Sequence, residues 1–171
     1  MSKRPSRTRE AAQTLLVTGF VFVLIETFLF QGFRVYGSCM EPSLYTGERL
    51  LGNKLLYRLH PPQRGDIIVF RYPNDPTRIY VKRVIGLPGE TVAIRGGEVH
   101  VNGRRLREDY VVNGAHGEYP STRVPRNRLF VLGDNRDHSS DSRSWGTVPW
   151  GHVEGKVWFR YWPLTRAGSL E

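Results

Sequence analysis

The stretch from Thr14 to Phe33, TLLVTGFVFVLIETFLFQGF, constrains this chain more than any other part of it. It stays apolar for about 20 residues, enough for a helix to cross a hydrocarbon layer ~30 Å thick. Its one charge is Glu26. A carboxyl at that depth must be protonated, paired or close to the interface. Lys3, Arg4, Arg7 and Arg9 precede the run against Glu10 alone, and basic residues before an apolar span stay on the cytoplasmic side. The expectation is a cytoplasmic basic tail over 1–12 and a transmembrane helix over 13–35, with the rest on the outer face of the plasma membrane. A cleaved leader shares the basic-then-apolar order. The run is too long for one, no Ala-x-Ala site follows, and Arg34 intrudes. A lipoprotein signal ending at Cys39 fails because Tyr36 stands where a small aliphatic residue is needed. A buried core helix is the plainest alternative, and all-round apolarity with a basic flank favours the span.

Beyond residue 36, short apolar runs alternate with Gly, Pro and Asn, as in all-β domains. Strands are expected at Asp66 to Tyr72, Arg78 to Ile85, Thr91 to Ile94, Arg128 to Leu132 and Gly155 to Tyr161. Glu98 to Val101 and Arg104 to Leu106 flank Asn102-Gly103, the signature of a type I′ hairpin. Arg49 to Leu59 carries a weak helical period. One β domain over 36–165 follows, with a frayed tail over 166–171. The net charge of +9 suggests a polyanionic partner. The charges are scattered, with no basic stripe interleaved with aromatics. That excludes nucleic acid and leaves membrane lipid. A single cysteine, Cys39, excludes an internal disulfide. Nothing in the sequence calls for a cofactor or a metal, and it sets no oligomeric state.

Three clusters can carry chemistry. Gly37-Ser38-Cys39-Met40-Glu41-Pro42-Ser43-Leu44 puts a nucleophile directly after the apolar run. Tyr80-Val81-Lys82-Arg83 puts a lysine in an apolar strand, on the face opposite Val81 and Arg83. If it points inward, desolvation favours the neutral amine, which can take a proton from a hydroxyl or thiol. The third cluster, Gly133 to Arg143 (GDNRDHSSDSR), follows an apolar strand. It fails the calcium-loop template, with no Gly at the sixth place and Trp145 where the bidentate Glu belongs.

In this order the clusters resemble type I signal peptidases. The strings that carry the resemblance are M-E-P-S-L, G-D-I-I-V-F, Y-V-K-R-V-I-G-L-P-G and G-D-N-R-D-H-S-S-D-S-R-S-W-G. They span the chain from the anchor to about Pro163. The resemblance implies a mainly β fold of coiled antiparallel sheets, and an endopeptidase that frees secreted preproteins from their signal peptides. It implies a serine–lysine dyad without histidine. Carried over by motif, the nucleophile falls on Cys39, the general base on Lys82 and the serine that orients the lysine on Ser139. Asp141 and Arg143 fall on a supporting ion pair, and Asp134 on an active-site carboxylate. Tyr80 to Lys82 and Phe33 to Ser38 would flank the substrate backbone. Phe33, Val35, Met40, Leu44, Tyr80 and Val81 would bind substrate, the apolar ones lining pockets for small side chains at the −1 and −3 positions.

Two positions depart from the pattern. Cys39 stands where the family has serine, and Met40, Pro42 and Leu44 fix that register rather than one on Ser38. The exchange reads as an introduced replacement that weakens or traps the enzyme, with a natural cysteine variant as the alternative. A thiol ionises more readily than a hydroxyl, but a site shaped for oxygen can misplace sulfur. Gly37 stands where some relatives carry a serine that helps hold the oxyanion, which leaves the backbone N–H of Cys39 to serve. A sortase-like cysteine transpeptidase is the nearest alternative, with His138 as the imidazole that could reach Cys39. A self-cleaving Ser–Lys repressor would need a DNA-binding domain. A non-catalytic membrane tether would form no acyl-enzyme.

Overall fold

The computed structural model describes residues 7–28, 30–53, 56–112 and 117–170. Helix α1 spans Arg7–Phe28. Its described large apolar side chains, Leu15, Leu16, Val17, Phe20 and Val21, stand bare, between 45 % and 74 % exposed. The expected helix over 13–35 does not run its full length. It ends at Phe28, and after one intervening residue strand β1 occupies Phe30–Arg34. Pairing explains the switch: Phe30 to Arg34 form an antiparallel ladder with β2, Arg49–Asn53. A helix there would forfeit those backbone bonds. Among the described residues no helix is long and apolar enough to cross a membrane. The side chains from 22 to 28 lie outside the described residues.

Strand β2 corrects the helical reading of Arg49 to Leu59. Leu50 and Gly52 are buried while their neighbours are less so, a period of two. Gly52 is required: a Cβ there would meet the Phe33 ring at 2.6 Å. A single helical turn, α2 (Leu56–Leu59), follows. Then come β3 (Ile67–Tyr72), β4 (Asp75–Gly86), β5 (Thr91–Arg95), β6 (Glu98–Val101) and β7 (Arg104–Arg105). Asn102 and Gly103 both have positive φ, as the type I′ turn demands. Strands β8 (Tyr119–Arg123) and β9 (Arg128–Leu132), the short helix α3 (Ser142–Trp145), and β10 (Val148–Pro149), β11 (Val153–Trp162) and β12 (Gly168–Ser169) complete the set.

The strands form two antiparallel sheets. The larger runs β1-β2-β11-β3-β4-β9-β10, with β12 added to β11. The smaller runs β7-β6-β5-β8. Strand β4 changes partners along its length. From Asp75 to Arg83 it pairs with β3, and β9 joins its other side only from Arg83 to Gly86. Among the described residues no strand covers that second edge over 75–82, nor the outer edge of β1. The two edges line one cleft.

Three apolar clusters hold this frame. Ile85, Val92, Ile94, Phe130 and Leu132 belong to one that joins the two sheets. Ile68, Phe70, Val84, Leu129 and Val131 fill a second. Val35, Met40, Leu44, Leu50, Val69 and Val157 make the third, under the cleft, with Cys39 and Val81 packed against it. Each such side chain contributes about 1.5–3 kcal/mol on burial.

The expected frayed tail is a strap. Gly168 and Ser169 pair with Arg160 and Phe159, and Leu170 packs against the third cluster. Glu48, 3 % exposed, binds Arg160 at 3.2 Å and Arg166 at 3.0 Å. Arg160 also donates to the Ser43 carbonyl at 3.0 Å, and Arg166 lies over the Tyr45 ring at 4.4 Å. The strap thereby ties β11 to the turn that follows Cys39.

Candidate active site

The side chain at 39 sits on a turn after β1, entered through Gly37 at φ +85°. Backbone bonds from Glu41 to Ser38 and from Leu44 to Met40 close the turn. Met40 and Leu44 anchor it by complete burial. Lys82 projects from β4, the alternation placing it opposite Arg83. Its Nζ donates to Cys39 Sγ at 2.8 Å, and the side chain is only 3 % exposed. It forms no ion pair among the described residues; its other close neighbour is the Tyr80 ring, 5.6 Å from Nζ to centroid. The thiol lies 3.9 Å from the Val81 carbonyl, at the uncovered edge of β4. A buried amine that meets a thiol rather than a carboxylate can exchange a proton with it.

The loop over 133–143 closes behind this pair. Asn135 N–H donates to the Cys39 carbonyl at 3.1 Å. Gly133 has no room for a side chain, because a Cβ would collide with Ser139 Oγ and the Cys39 carbonyl. Asp141, fully buried, accepts from the Gly133 N–H at 3.1 Å and caps α3 through the Arg143 N–H. The Arg143 guanidinium grips both of its oxygens, at 2.8 and 2.9 Å, and reaches the Arg136 carbonyl at 2.6 Å.

Asp134 serves the other face of β4. It holds Arg83 in a two-pronged pair, at 2.9 and 2.7 Å, with both residues buried. Arg83 further donates to the Gly65 carbonyl and Ser43 Oγ, and stacks on the Tyr110 ring at 4.0 Å. Burial first, then the Glu108 carboxylate at 2.9 Å, hold the Tyr110 hydroxyl well above its ordinary ionisation range. Arg83 and Arg136 pull it the other way.

Ser139 Oγ is buried and, among the described residues, has no hydrogen-bond partner, Lys82 included. The lysine is turned to the thiol instead.

The cleft over Cys39 and Lys82 encloses about 640 Å³. Phe33, Val35, Tyr80 and Val81 line it as the motif implied. Met40 and Leu44 do not: packing of the turn places them wholly inside the third cluster. Leu50, Val69 and Ser140 line it as well and went unread in the sequence. Leu50 was hidden by the helical reading of β2. Val69 was visible as the alternate position of a strand next to β4.

The family described as Signal peptidase, peptidase S26, matches residues 8–162. The chain belongs to the S26 signal peptidase family. A probable signal peptidase I-2 of Synechocystis is 38 % identical, over 94 % of this chain and 76 % of that protein. The signal peptidase I of Bacillus caldolyticus is 41 % identical, over 84 % of this chain and 86 % of the relative. A crystal structure of a signal peptidase I from Enterococcus faecalis matches with TM-score 0.49 and 39 % identity, covering 57 % of this chain and 97 % of that one. As an S26 signal peptidase the chain is a hydrolase.

Proposed function

We propose that this chain removes N-terminal signal peptides from secretory preproteins by acyl transfer at residue 39, working at a membrane surface. The contact of 2.8 Å between Lys82 Nζ and Cys39 Sγ, buried and without a carboxylate, carries the reading. The relatives named signal peptidase I support the substrate. The open edges of β1 and β4 suit an extended peptide, which gains main-chain bonds from both. Small side chains at the −1 and −3 positions enter the apolar ground of Phe33, Val35 and Val81, with Leu50 and Val69 behind.

The chemistry then runs in two halves. Lys82 takes the thiol proton as Sγ attacks the scissile carbonyl, and the Cys39 N–H meets the developing oxyanion. The lysine ammonium protonates the leaving amine, and a thioester remains on Cys39. Lys82 next draws a proton from water, which attacks the thioester; the C–S bond breaks, the signal peptide leaves with a new carboxyl end, and the Cys39 thiolate regains its proton from the lysine ammonium. Ser139 steers the amine between the two halves with its uncommitted hydroxyl. Helix α1 serves as the membrane anchor, its bare apolar residues following a basic segment, with the catalytic domain on the outer face. No histidine lines the cleft among the described residues, which disfavours the sortase-like alternative.

The test compares the Cys39, Cys39→Ser and Lys82→Ala chains on one signal-peptide substrate. The serine form should cut at least about tenfold faster, since sulfur misplaced by ~1 Å costs about a hundredfold. Full processing by Lys82→Ala would overturn the mechanism.

A further inference from the structure

The cleft is charged in one sense only. Arg34 and Arg78 line it together with Lys82, and among the described residues no acidic one does. Both arginines are exposed, and neither forms an ion pair among the described residues. Each is laid on an aromatic ring of its own strand region, Arg34 over Tyr36 at 5.5 Å and Arg78 over Tyr80 at 5.4 Å. Asp75, the near carboxylate, is close enough to feel the charge of Arg78 but bonds Thr77 at 2.6 Å instead. The rings hold the guanidinium groups in place without neutralising them.

Position along the strands gives the pair its meaning. Arg78 stands four residues before Lys82 on β4, on the same face by alternation. Arg34 stands five residues before Cys39 on the facing edge. An extended peptide rises about 3.3 Å per residue, so Arg78 faces a point roughly 13 Å from the reacting atoms. For a peptide running parallel to β4, that is about four to five residues on the amino side of the cut. We propose that Arg34 and Arg78 form a charge-selective mouth that favours acidic and rejects basic side chains at those positions. The inference rests on the signal-peptidase reading and adds a substrate preference to it.

Three peptides that differ only at those positions, with Ser, Glu or Lys, test it through kcat/KM on the full Cys39 chain and its Cys39→Ser form. One unit charge about 6 Å from another in water shifts affinity about threefold. The Glu peptide should therefore outrun the Lys peptide by roughly tenfold or more at low salt. The ratio should fall toward one in ~1 M salt, where the screening length is about 3 Å. Arg34→Glu combined with Arg78→Glu should invert the order, and lysine at both sites should restore it. Equal rates for all three peptides at low salt would overturn the proposal. So would a doubly reversed chain that keeps the order of the parent and instead loses binding to vesicles containing anionic lipid, which would assign the arginines to the bilayer. If the Ser peptide is cut by neither form, the signal-peptidase reading itself fails and takes the inference with it.

Discussion

Lys82 and Arg83 are neighbours on one strand, equally hidden from water, and they face opposite worlds. Arg83 meets a full set of partners: Asp134 on two prongs, the Gly65 carbonyl, Ser43 and the Tyr110 ring. Lys82 meets a thiol. Burial alone therefore says little about what a cation is for. A buried charge that is fully matched serves as a fixed joint, and removing one partner leaves the other stranded at several kcal/mol. A buried amine with no matching carboxylate is free to trade its proton.

The contrast can be broken at four points. Lys82→Ala should lower processing by about a thousandfold or more, while the unfolding midpoint in denaturant barely moves. Asp134→Ala should do the reverse of that pattern. It strands the Arg83 guanidinium and should cost about 3–5 kcal/mol in equilibrium unfolding. Activity per folded molecule should fall far less. If Asp134→Ala unfolds no more readily than the parent, the joint on the Arg83 face is not structural. Ser139→Ala separates the sides more finely. It removes a hydroxyl that bonds nothing in the resting state, so stability should stay within about 1 kcal/mol. The kcat should fall about tenfold with KM little changed, if Ser139 steers the lysine.

The smallest effect belongs to the arginine side and depends on pH. The Tyr110 hydroxyl is held protonated by burial and by Glu108 beyond the point, near ~10, where an unfolded tyrosine ionises. The folded state therefore retains a proton that the unfolded state has lost. That contribution to stability is complete below pH ~10 and fades as pH rises through and beyond it. Tyr110→Phe should cost about 1 kcal/mol at neutral pH and flatten the alkaline decline in the unfolding curve.

How much of this was legible in the sequence differs between the two faces for a physical reason. Strand alternation alone set Lys82 apart from Val81 and Arg83, short apolar runs bounded by turn residues marked β3, β4 and β9, and Asn102-Gly103 marked the hairpin of β6 and β7. The joint on the Arg83 face required knowing that a loop some fifty residues on returns beside β4, which no local pattern encodes. The motif led to Asp134 as a supporting carboxylate but gave no sign that Arg83 is its partner. Local pattern also failed where tertiary pairing overrode it. Phe30 to Arg34 reads as the end of an apolar helix, and Arg49 to Asn53 as the start of one. They become strands because each supplies the other with a ladder. Met40 and Leu44 show the same limit inside the site: apolar residues flanking a nucleophile can serve as ligand ground or as ballast for its turn, and packing alone decides.

The strap at the carboxyl end bears on where this catalytic unit stops. The family match ends at residue 162, and a chain trimmed there would keep every residue that lines the cleft. It would nonetheless lose Arg166 and Leu170, leaving Glu48 with one cation fewer and the floor beneath the thiol with a gap. Kinship and force balance thus disagree over Pro163 to Leu170, which lie beyond the match and still brace the turn of the nucleophile. A cut at residue 162 would slacken that brace without touching a single residue of the cleft.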